Sequence, residues 1–87
     1  EFSGIKELQL YPNPASDYVN ISFTTENEER VTCVITDYSG KVVFEQPLVS
    51  QENQVTEKIN LPELAKGLYL LELRTASGKT VRKLMID

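Results

Sequence analysis

Apolar and polar residues alternate along most of this chain with a period of two, the mark of extended strands with one buried face and one wet face. Over residues 18–24, Val19, Ile21 and Phe23 fall on one side, and Tyr18, Asn20 and Ser22 on the other. Residues 30–37 repeat the pattern, with Val31, Cys33 and Ile35 on the core side. Val42, Phe44 and Leu48 continue the core. Pro47 has no amide hydrogen for a ladder, so it puts that end of its strand at a sheet edge or a bulge. Over residues 54–61, Val55, Ile59 and Leu61 point inward. Glu57 falls on the same face, an inward charge of the kind that blunts sheet edges. A short first strand over residues 8–11 is stopped by Pro12.

The densest stretch is residues 67–86. Tyr69, Leu71 and Leu73 share one face of a strand, and Leu68 and Leu70 start an apolar second face. Apolar residues on both faces predict a strand covered on both sides and central in its sheet. Ala76-Ser77-Gly78-Lys79 is hairpin chemistry, since Gly78 accepts the positive φ of a tight turn. A last strand follows to Ile86. Its alternation is not clean, and the pattern leaves open which of Arg82 and Lys83 points inward.

The connections are polar. Tyr11-Pro12-Asn13-Pro14 cannot be helical, and Asn13 is suited to closing an Asx turn. Glu26-Asn27-Glu28-Glu29 reads as an exposed acidic turn, and residues 50–53 as a polar loop. Asp37-Tyr38-Ser39-Gly40-Lys41 reads as a hairpin with Gly40 left-handed. Residues 61–67 suit a single helical turn, with Leu64 plugging one end of the core and Gly67 restarting the chain. Seven evenly spaced strands without a dependable helix predict an all-β fold: a seven-stranded antiparallel immunoglobulin-like β-sandwich, without the disulfide and Trp of antibody domains.

Eighty-seven residues make one domain. Its expected extent is 8–87, with residues 1–7 as a linker or a vector-derived remnant; Glu1-Phe2-Ser3-Gly4 shows neither an initiator Met nor a signal peptide. Apolar runs are only a few residues long, far short of a membrane span, so direct membrane insertion is not expected. Arg74, Lys79, Arg82 and Lys83 against Asp87 give residues 74–87 a charge of +3, and the rest of the chain carries −7. An acidic body argues against nucleic acid, whose phosphates need a basic face. The basic end reads as a solvated strand face or as a docking surface.

Candidate chemistry is sparse. The chain has no His, which removes the usual general base and the commonest metal ligand. The single cysteine, Cys33, lies on an inward position without a base to activate it, and reads as a small core hydrophobe. Asp17, Asp37 and the acidic turn at Glu26 lack the close ligand spacing of a calcium loop. Ser16 and Ser39 have no partner base, and there is no Gly-rich phosphate loop. Tyr11, Tyr18, Tyr38 and Tyr69 are spread over separate segments and read as core edges and turn covers rather than as a sugar platform. The residues thus point to a non-enzymatic module without catalytic residue, metal or cofactor.

Four motifs in one order say more. They are Tyr-Pro-Asn-Pro-Ala-Ser-Asp-Tyr-Val-Asn-Ile at 11–21, Asp-Tyr-Ser-Gly-Lys-Val-Val at 37–43, Leu-Pro-Glu-Leu-Ala-Lys-Gly-Leu-Tyr-Leu-Leu-Glu-Leu at 61–73, and Ser-Gly-Lys-Thr-Val-Arg-Lys-Leu-Met-Ile at 77–86. Together they resemble the C-terminal sorting domain of type IX secretion cargo. The resemblance runs from about Leu8 to the end, and places family turn residues at Pro12, Asn13, Pro14, Gly40, Gly67 and Gly78. It implies an immunoglobulin-like domain that follows its parent cargo and is recognised by the outer-membrane translocon after periplasmic transit. Removal by a sortase-like cysteine protease at the cell surface is implied for many cargos. The chain ends Met-Ile-Asp, where a terminal Lys is frequent in the family. Mechanistically the resemblance implies binding: the last strand is presented to the secretion machinery, with Lys79, Arg82, Lys83, Leu84 and Ile86 as candidate recognition residues. The alternative is an accessory adhesion or carbohydrate-binding sandwich retained on a larger surface protein.

Overall fold

A computed structural model describes residues 4–27 and 30–87. Residues 1–3 of the expected remnant and Glu28 and Glu29 of the expected acidic turn lie outside the described residues. The alternating segments form β1 (Ile5–Tyr11), β2 (Tyr18–Thr25), β3 (Val31–Asp37), β4 (Val42–Leu48), β5 (Gln54–Asn60), β6 (Gly67–Thr75) and β7 (Gly78–Ile86). All named pairings are antiparallel. They build one sheet in the order β1-β2-β5 and a second in the order β4-β3-β6-β7. This is the expected all-β, immunoglobulin-like sandwich, with β4 beside β3.

The inner faces of the two sheets meet in one core. Ile21 and Phe23 of β2 and Ile59 of β5 share it with Ile35, Leu71 and Leu84 of the larger sheet, all essentially inaccessible. Of the apolar residues that alternation put inward, Phe44 and Leu61 are only half-buried against the core, and Val42, expected to continue it, is 47% exposed. The others named on β2, β3, β5 and β6, with Leu48, are buried. Phe44 and the exposed Val42 sit on β4, an outer strand that no further strand covers, which is the position Pro47 requires.

Three expectations need correction. The strand β6 is central in its sheet but not covered on both faces: Leu68 and Leu70 are 40% and 38% exposed. Nothing among the described residues packs over the outer face of the four-stranded sheet, so the apolar residues there stay at the surface. Val34 is the exception, fully buried on that outer face between its ladder neighbours Glu45 and Glu72 although it stands outside the core cluster. Residues 61–66 form no helical turn; they run as an irregular connection pinned by a Leu61 amide bond to the Asp17 carbonyl and by the Tyr69 hydroxyl donating to the Ala65 carbonyl at 2.8 Å. With two attachments and Leu64 packed on the core, the segment is held without helical hydrogen bonds. Finally, the first strand, expected over residues 8–11, starts at Ile5, with a bulge between Lys6 and Gln9 where Glu7 has φ 57°.

Candidate recognition surface along the last strand

The strand β7 pairs with β6 without a break, from Thr75↔Gly78 to Gly67↔Ile86, behind a two-residue loop of Ala76 and Ser77. In such a ladder alternate residues turn their backbone groups toward the neighbouring strand and the others turn them away. The outward set is the odd-numbered one, since the Met85 and Asp87 groups are used on the far side, by Ala15. Side chains follow the same parity. Leu84 and Ile86, at 0% and 3% exposure, point into the core with Leu71 and Tyr69, whereas Val81, Lys83 and Met85 lie on the outer face. Arg82 pairs with the buried Leu71, hence shares the core-side face of β7, yet on this edge strand it stays exposed. That resolves the orientation of Arg82 and Lys83, and it removes two candidates: buried Leu84 and Ile86 offer no surface to a partner of the folded domain.

The C-terminal half of the β7 edge is closed. The Ala15 amide donates to the Met85 carbonyl, and the Asp87 amide donates to the Ala15 carbonyl, each at 2.8 Å, forming a parallel bridge. Beside it the Asn13 carboxamide imitates a peptide group. Its Nδ2 donates to the Lys83 carbonyl at 3.2 Å, and its Oδ1 accepts from the Met85 amide at 3.1 Å. Pro12 and Pro14 flank Asn13 and have no amide hydrogens to compete. The local Asx turn expected of Asn13 is replaced by this long-range clip. Ala15 itself is buried in the core, which anchors the segment.

Four sequence motifs therefore meet largely at one end of the larger sheet. Asp37 pairs with Tyr69, Tyr69 with Leu84, and Ile86 bridges Ala15. The turn after β3 is locked by the Asp37 carboxylate, which accepts from the Ser39 hydroxyl at 2.7 Å, the Ser39 amide at 2.9 Å and the Lys41 amide at 3.0 Å. The Ser39 hydroxyl first, then the Lys41 amide, hold this carboxyl below its ordinary value. Gly40, at φ 93°, closes the turn as expected. Between this turn and residues 66–69 lies a hollow of about 240 Å³, with the 87%-exposed Tyr38 on its rim. Gly67 has φ 147° with open space around it, so its requirement is conformational rather than steric. Gly78 and Lys79 lie at the opposite end of the sheet, beside Thr75 and Arg74.

The charges along β6 and β7 are only partly matched. Glu72 pairs with Arg74 and, at 3.9 Å, with Lys79. Arg82 and Lys83 take part in no ion pair among the described residues, and the Arg82 guanidinium donates to the Val81 carbonyl at 3.0 Å. Burial first, then the Glu57 carboxylate, push the Cys33 thiol up to about 12, so it stays neutral at physiological pH. The tyrosines do not assemble a platform: Tyr69 is buried, Tyr11 and Tyr18 belong to the smaller sheet, and Tyr38 stands alone at its turn. The Asn13 clip, which leaves only the first half of the β7 edge open, is the feature the sequence left unread.

Comparison with known proteins places these motifs. The family model described as a secretion system C-terminal sorting domain matches residues 9–87. Beta-agarase D of Zobellia galactanivorans is 35% identical over 81 residues, which is 93% of this chain and 15% of that protein. Among solved structures, dimeric latent PorU from Porphyromonas gingivalis superposes with a TM-score of 0.71 at 20% identity, over 91% of this chain and 9% of that one. CopC from Methylosinus trichosporium OB3b superposes with a TM-score of 0.59 at 17% identity, over 93% and 94% of the two chains. At these identities the structural likenesses speak for the fold alone.

Proposed function

The chain belongs to the family of C-terminal sorting domains of type IX secretion, and from that premise we propose that it directs its parent protein through the outer-membrane translocon by being bound as a folded unit. The observation that carries this reading is the family match over residues 9–87, which takes in all four motifs whole. The parent cargo precedes the domain, crosses the periplasm, and reaches the cell surface or the medium. A sortase-like cysteine protease then removes the domain. Beta-agarase D, of which this chain would span 15%, fits the role of a cargo enzyme carrying such a domain. The domain's own work is recognition, with Lys79, Arg82 and Lys83 as the accessible candidates.

The test is a fusion. A reporter carrying residues 1–87 at its C-terminus, expressed in a host with a type IX system, should appear outside the outer membrane. The same reporter without the domain should remain in the periplasm. A folded fusion retained in the periplasm defeats the sorting reading.

A further inference from the structure

We infer that the open half of the β7 edge, residues 79–83, is a strand-addition site for an extended acidic segment of a partner protein. This rests on the sorting reading and narrows it to one stretch of backbone. The outward groups there are the Lys79 amide and carbonyl and the Val81 and Lys83 amides, and no other element among the described residues bonds to them. Past Lys83 the Asn13 clip and the Ala15 bridge occupy the edge, so an added strand has to stop there.

The backbone of the other edges is interrupted or flanked by an inward charge, whereas β7 is protected only by its exposed Lys79, Arg82 and Lys83, which an acidic strand would neutralise. The first strand carries the bulge between Lys6 and Gln9, β4 carries Pro47, and β5 carries the half-buried charge of Glu57. The β6–β7 register runs without a shift over its whole length. An unbroken, exposed edge is a template for another strand unless something covers it.

The side chains define the occupant. Lys79, Arg82 and Lys83 crowd this stretch, and only Lys79 has a carboxylate, which it shares with Arg74. Carboxylates on an incoming strand would meet them at cross-strand distance. On the outer face, exposed Val81 and Leu70, which pairs with Lys83, offer apolar side chains that a neighbouring strand would continue. A second copy of β7 does not fit. Antiparallel pairing about Val81 would set Lys79 opposite Lys83, and like charges directly opposite are destabilising.

The experiment separates backbone from side chain in the reporter fusion. Val81→Pro removes the outward amide at the centre of the stretch and spares the β6 ladder bonds, which use the even-numbered residues of β7. Val81→Ala keeps that amide. Export should fall at least tenfold for Val81→Pro and hold at the wild-type level for Val81→Ala, with cooperative unfolding checked for both. Arg82→Glu with Lys83→Glu is an exposed change that leaves the backbone alone, and should also cut export at least tenfold; it decides the matter if Val81→Pro does not fold. A folded Val81→Pro exported at the wild-type level overturns the site, and charge reversal without effect overturns the acidic partner. If the domain sediments as a dimer that Val81→Pro dissociates, the occupant is a second copy and the inference is wrong. A wild-type fusion that is never exported sinks the sorting reading itself, a result distinct from all of these.

Discussion

Asn13 donates its side-chain amide to the carbonyl of Lys83, seventy residues further along the chain. The same carboxamide accepts from the Met85 amide, so one side chain takes the place of a peptide group beside the last strand. Asn13→Ala should cost about 1–2 kcal/mol, since two exposed hydrogen bonds of modest net value are lost. Amide exchange gives the local reading: Met85 should lose protection while Leu84 and Ile86, bonded toward β6, keep theirs. Unchanged Met85 protection would mean that the clip contributes nothing in solution.

Leu70 and Leu71 are neighbours in sequence on opposite faces of β6, one 38% exposed and the other fully buried. Leu71→Ala should destabilise by about 2–5 kcal/mol, the range for a buried Leu truncation. Leu70→Ala should stay within about 0.5–1 kcal/mol, nearer to a surface change. Denaturant titrations of the pair check the face assignment, and equal losses would refute it.

Cys33 should be silent in the folded domain. Its thiol is buried and its pKa is pushed up to about 12 from an ordinary 9.0. Iodoacetamide at mildly alkaline pH should leave it unmodified until denaturant opens the core, so labelling should track global unfolding. The sign for stability follows from the raised value. The stabilisation is intact below 9.0 and is lost as pH rises toward 12, because the unfolded chain ionises first. Rapid labelling without denaturant would contradict the burial.

Asp37 gives the opposite limb. Its carboxyl lies below the ordinary 3.8, held by Ser39 and Lys41, so its contribution is complete above that value and disappears as pH falls through the folded one. Asp37→Asn should lower the thermal midpoint at neutral pH and flatten its fall in acid. A melting series from pH 7 to pH 2 on both proteins checks this, and parallel curves would show that the turn does not depend on the charge.

Gly67 should resist replacement for reasons of backbone alone. No atom lies within 4 Å of an added Cβ, yet φ is 147°. Gly67→Ala should therefore cost about 1–3 kcal/mol through conformation, the scale of a residue held in a sparsely populated region. A neutral substitution in a thermal melt would mean that the junction relaxes to ordinary extended geometry.

Much of this fold could be read from period two because the core is one-sided. Val19, Ile21 and Phe23 alternate with polar residues, since one face of their strand is wet. The same rule failed at Leu68 and Leu70, where apolar residues occupy a face that nothing among the described residues covers, and at Val34, which is buried although it lies outside the core cluster. Alternation reports hydrophobicity; it does not report what lies opposite. The recognition surface was harder still. The basic residues at 79–83 were visible, but their faces depend on the ladder register with β6, and Leu84 and Ile86 became core residues only once that register was known. Asn13 looked like a local turn former, because nothing within a window of neighbouring residues encodes a partner at Lys83.

Protein synthesis runs from the N-terminus, so Asn13 and Ala15 leave the ribosome long before Lys83 and Ile86 exist. Contacts this far apart in sequence close late, after the loop between them has been ordered. A polypeptide cut short by a premature stop anywhere ahead of Lys83 lacks both partners of Asn13 and the Leu84 and Ile86 side chains that complete the core. Closure of the clip therefore waits until the chain has run through Met85.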